Sequence, residues 1–217
     1  MKRNGAETRP FAPRLRAMTW VAAFGLASTV SQTSLADPDH VRPPPVPQDI
    51  QVPTGNKAFL GGDAIGTQDY ICLLSSSGFA WTFFGPQATL FNKRDEQIIT
   101  HFLSPNPFEN GTPRVTWQDS EDTSKIWGLT IASVTVQPDA IPWELVQVVG
   151  AEDGPTGGDK LSEDTFVQRL NTVGGVAPDP NEPSTGCAAL GDVGKMALVP
   201  YSADYFFYKA IKRISSR

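Results

Sequence analysis

The 217-residue chain is poor in the side chains that most catalytic and metal sites use. It has two histidines, two cysteines and three methionines. A zinc centre draws on several His or Cys ligands, so no metal site is expected once the cysteines are otherwise engaged. No Gly-x-Ser-x-Gly elbow is present to offer a nucleophile. Gly174-Gly175 follows an apolar run, but Val-Ala-Pro-Asp-Pro comes next instead of a helix. The phosphate-binding helix N-terminus is therefore missing, and a turn with positive φ is expected. No cofactor is expected. No apolar run reaches the roughly 20 residues of a spanning helix. Beyond the N-terminal segment, nothing keeps a 3.6-residue apolar period over three turns, which argues against long helices.

The N-terminus reads as a secretory signal peptide over residues 1–36. Lys2, Arg3, Arg9, Arg14 and Arg16 form a basic region, and Met18 to Val30 is apolar. Ser34-Leu35-Ala36 is a small-residue cleavage site. That segment holds five Lys/Arg and one Glu of the chain's 18 basic and 23 acidic residues. Removing it leaves 13 basic and 22 acidic residues, a net charge of −9. Such a balance gives no general attraction for nucleic acid or anionic lipid. A secreted or periplasmic location is expected, with no integral membrane segment after cleavage.

Residues 37–53 are Pro-rich and read as an extended tether. From residue 54 to 210, short apolar runs alternate with Gly, Pro, Asn and Ser, the pattern of an all-β domain. Strands are predicted near residues 68–74, 79–84, 88–91, 97–103, 126–136, 143–149, 165–172 and 201–209. Ser75 to Gly78 marks a tight hairpin, and Gly85-Pro86 marks a break. About eight strands in one domain imply an antiparallel β-barrel or β-sandwich with long loops. The loops are placed at residues 104–116, 153–164 and 179–186, with a C-terminal tail at 211–217. Cys72 and Cys187, an even count in an exported chain, are expected to pair.

Several stretches together resemble the secreted bacterial and fungal proteins grouped as domain-of-unknown-function family 3455. They are Val52 to Asn56, Gly66-Thr-Gln-Asp-Tyr-Ile-Cys72, Trp81 with Pro86 to Leu90, His101 and Ile141-Pro-Trp143. Gln168-Arg-Leu-Asn-Thr-Val-Gly-Gly175, Cys187 and Val199-Pro-Tyr-Ser-Ala-Asp-Tyr-Phe-Phe-Tyr208 complete the set. The resemblance runs from about residue 50 to 209. It implies export and a shared fold, and it brings no catalytic residues.

His101 is the only histidine inside the expected domain. It is either a satisfied strand histidine or a general acid/base at a barrel mouth. The aromatics, Trp81, Trp117 and Tyr205 among them, either fill the core or line a ligand cavity. Arg169 and Asp204 sit within apolar strand runs, where a lone charge is costly. They are expected to approach each other. The candidate ligand-binding residues are thus His101, Trp81, Trp117, Arg169, Asp204 and Tyr205. Three functions fit: a non-enzymatic domain binding a small molecule or cell-envelope component, a hydrolase or isomerase using His101 with a carboxylate, or a structural interaction module.

Overall fold

The computed structural model describes residues 41–182 and 186–212. The expected signal peptide, the first residues of the expected tether and most of the expected C-terminal tail lie outside these. Eight antiparallel strands close into a barrel in simple up-and-down order. They are β1 (Asn56–Ser75), β2 (Gly78–Phe91), β3 (Gln97–Asn106), β4 (Thr112–Asp119), β5 (Lys125–Val134), β6 (Trp143–Glu152), β7 (Asp164–Gly174) and β8 (Met196–Ala210). The fold is a barrel and not a sandwich. Pairing of β1 with β8 removes both sheet edges.

The strand count matches the expectation, but two of the eight differ. Gly85-Pro86 does not break a strand: β2 runs through it, and Pro86 faces Gln68 of β1. The register slips at this point, and β3 pairs with β2 only from Ala88 to Phe91. Proline is therefore tolerated, because β2 is a local edge on that side. The loop expected at residues 104–116 instead contains the end of β3, a tight turn and most of β4. Pro105 and Pro113 face each other across this hairpin, so two apparent breakers share one ladder position. Asn110 and Gly111 turn the chain with φ of 54° and 82°. Gly174 and Gly175 do adopt positive φ, 68° and 80°, as expected.

Alternation along the strands fills the lumen. Leu90, Ile99, Trp117, Ile126, Val146, Val167, Tyr205 and Phe207 form the inner core. Gly128 makes room for the Trp117 ring: a Cβ there would lie 2.8 Å from Trp117 Cζ3 and 2.4 Å from Val146 Cγ1.

A second core lies outside the barrel wall, and it corrects the free-tether expectation for residues 41–53. Ile50 is fully buried against Leu145 and Leu170, with Val46 and Val52 packed beside it. The Gln168 amide donates to the Ile50 carbonyl at 2.6 Å, and the Tyr208 hydroxyl donates to Gln168 Oε1. The arm thus covers outward-facing residues of β6, β7 and β8 that would otherwise be apolar surface. Ile50→Ala should lower stability by roughly 2–3 kcal/mol, from lost burial and the cavity left behind. Urea melts of the two proteins would measure it, and a shift below about 0.5 kcal/mol would show that the arm adds little.

The Cys72–Cys187 disulfide is present. It ties β1 to the connection between β7 and β8. Both cysteines are buried. Among the described residues, no helix is long and apolar enough to cross a membrane.

Candidate functional site

His101 stands in the middle of β3, between Ala88 of β2 and Trp117 of β4. Its side chain points into the barrel and is only 2% exposed. The imidazole stacks on Trp117, with centroids 4.5 Å apart and planes 10° from parallel. The Tyr205 ring lies 5.2 Å away at a tilt. His101 Nδ1 lies 2.9 Å from the Thr116 carbonyl oxygen. A carbonyl only accepts, so Nδ1 carries the proton and Nε2 is left as an acceptor. Burial lowers the His101 pKa from 6.5 to about 3; the Thr116 bond opposes this, and the Arg169 charge adds to it. The ring is therefore neutral at ordinary pH.

Arg169 also points inward, one residue pair from the aromatic stack. It faces Tyr205 on β8 and Glu144 on β6. Its guanidinium meets the Glu144 carboxylate at 3.0 Å and donates to the Pro142 carbonyl through Nε and Nη2. The expected approach of Arg169 to Asp204 is not what the fold does. Asp204 lies opposite Leu170, one residue out of phase, so its side chain takes the other face of the sheet. There it accepts from Asn171 Nδ2 at 2.7 Å. It borders a groove of about 820 Å³ on the outer wall, together with Asp63, Arg42 and Phe206.

The parting of β2 from β3 opens a cleft of about 520 Å³ in the barrel wall. His101 and Ala88 contribute at its floor, where the two strands separate. Phe84, Phe102, Leu103 and Ile65 supply apolar walls, and Asp69 and Gln87 lie on one side. The Asp69 carboxylate is buried and accepts from Thr67 Oγ1 and Gln87 Nε2, each at 2.7 Å. The structure thus brings His101, Trp117, Tyr205 and Arg169 to one region of the lumen. It leaves Trp81 beside Cys72 and Asp204 outside. Glu144, Asp69 and Gln87 were not singled out in the sequence. Period-2 alternation from Val146 would have turned Glu144 inward. Asp69 is carried by the register slip at Asp69/Tyr70, which no pattern announces.

A family model described as protein of unknown function (DUF3455) matches residues 53–209. The chain belongs to that family. No curated protein and no solved structure matches it. The family match spans the DUF3455 barrel from just before β1 to the penultimate residue of β8, so cleft and lumen both fall within it.

The opposite end of this DUF3455 barrel holds a second perturbed group. Asp164 opens β7 across from Lys209, and neither carboxylate oxygen has a hydrogen-bond partner among the described residues. Burial raises its pKa from 3.8 to about 8, and the Lys209 charge offsets part of that. The folded protein therefore keeps this proton up to about pH 8, while the unfolded chain releases it near 3.8. On this account alone, stability falls with rising pH across that window. His101 acts in the opposite sense, since the unfolded chain binds its proton up to pH 6.5 and the folded protein only to about 3. The two effects oppose each other from 3.8 to 6.5, and Asp164 acts alone from 6.5 to 8. Stability should fall there by up to about 1.4 kcal/mol per pH unit. Asp164→Asn should flatten the curve in denaturant melts taken at several pH values. A fall of the same slope in the variant would remove Asp164 as its cause.

Proposed function

We propose that this chain is an exported, non-enzymatic binding domain that holds a small molecule or a fragment of a cell-envelope component in the cleft between β2 and β3. The observation that carries the reading is a buried, neutral imidazole in the lining of the cleft, with Nδ1 bonded to a backbone carbonyl and Nε2 therefore confined to accepting. A donor group on a ligand is the natural complement of such an acceptor. The cleft volume is in the range of ordinary small-molecule sites, and its apolar walls with a few polar groups have their usual character. The disulfide fits an oxidising compartment, secreted or periplasmic.

The enzyme reading gains less support. A general base works best when its pKa lies near the operating pH, and His101 is held far below that. Its Nδ1 is oriented by a backbone carbonyl, with no carboxylate behind it.

A thermal-shift screen of small molecules tests the binding reading, with Phe84→Ala/Leu103→Ala as the control. Both residues are exposed, so the control should fold normally. Hits that raise the melting temperature of the wild type and lose that effect in the control support the cleft. Hits that stabilise both proteins equally place binding elsewhere, and a screen without hits removes the reading.

A further inference from the structure

We propose that the cleft selects neutral aromatic ligands bearing an N–H or O–H donor, and that it rejects carboxylates and sulfonates; this rests on the binding reading above. The argument begins with hydrogen-bond polarity. His101 Nδ1 has already given its proton to the Thr116 carbonyl, so Nε2 can only accept. The Asp69 carboxylate also lines the cleft, and it too only accepts. The Gln87 amide, the natural donor beside them, gives one of its two N–H groups to Asp69.

Charge points the same way. Among the described residues lining the cleft there is one Asp and no Lys or Arg. Arg169, the cation inside the lumen, is not part of the lining and is paired with Glu144 at 3.0 Å. An anion entering the cleft would lose its hydration, meet the Asp69 charge and find no cation. A cationic amine would satisfy Asp69, but it would have to be desolvated beside apolar walls. A neutral donor loses the least on entry. The walls favour an aromatic body: Phe84 and Phe102 flank the opening, with Leu103 and Ile65 beside them.

Three probes built on one skeleton separate the terms. N-phenylnaphthylamine is neutral and carries a single N–H. Its N-methyl derivative lacks that donor, and anilinonaphthalene sulfonate adds a negative charge. Fluorescence titration of the purified protein should show saturable binding of N-phenylnaphthylamine. The methylated and sulfonated probes should each bind at least tenfold more weakly. In His101→Leu, the advantage of the N–H probe over its methyl derivative should disappear. The comparison between probes on the unaltered protein stands even if that variant does not fold.

Equal binding of the N–H and N-methyl probes, or preference for the sulfonate, would overturn the ligand class. If that binding is still weakened by Phe84→Ala/Leu103→Ala, the binding reading survives without the class. Absence of saturable binding by all three probes would overturn the aromatic ligand class, while the broader screen decides the binding reading separately.

Discussion

Replacing Cys72 and Cys187 together by alanine is expected to remove about 2–5 kcal/mol of stability from the oxidised protein. The two positions are 115 residues apart in the chain. A cross-link of that span restricts the unfolded ensemble strongly, and the chain-entropy estimate is on the order of 4–5 kcal/mol. The bridged loop takes in β2 through β7, so most of the barrel lies between the two cysteines. Both alanines would occupy buried positions and leave small cavities, which adds to the loss. Guanidinium melts of wild type and double variant, both without reductant, measure the difference. A loss below about 1 kcal/mol would show that the bridge adds little to a barrel already closed by its strands.

Glu144→Ala should cost roughly 3–5 kcal/mol, because it strands the Arg169 guanidinium in the lumen. The Arg169 side chain is 10% exposed and that of Glu144 is 20%, so water can do little to replace the lost carboxylate. The Pro142 carbonyl would remain as the neutral acceptor for the guanidinium. Converting Arg169 to leucine in the same background should recover part of the loss, since no buried charge is then left alone. A double-mutant cycle gives the coupling directly. Strictly additive losses would mean that the two side chains act independently despite their contact.

Much of this fold was readable from strand-like runs and turn residues, and the limits have physical causes. The hairpin at Ser75–Gly78 and the turn at Gly174-Gly175 were legible because they depend on local backbone chemistry. The strand β4 was not, because Pro105 and Pro113 look like breakers until they are seen facing each other. The arm around Ile50 was hidden for a related reason. Proline-rich text signals extension, but it does not say whether the extended chain packs on something. At the site, His101 and Trp117 stood out by residue type. The error over Arg169 and Asp204 came from register. Inward or outward direction changes with every residue, so Arg169 meets Tyr205 inside while Asp204, opposite Leu170, falls on the other face. The cleft itself arises from two strands diverging, a property of neither strand alone.

The seam between β1 and β8 has a consequence for the order of events during synthesis. Asn56 lies opposite Ala210, and Ile71 lies opposite Met196, so the first strand made is completed by the last. A ribosome releases β1 long before its second neighbour exists. Until then β1 can form a hairpin with β2, but its other edge stays open, and the ring cannot close. Contacts so distant in sequence form late and slowly, because the intervening chain must first give up its freedom. Only emergence of the final strand, Met196–Ala210, turns an open ribbon into a barrel. Up to that moment no closed barrel exists, and the free edges of the ribbon stay open to pairing.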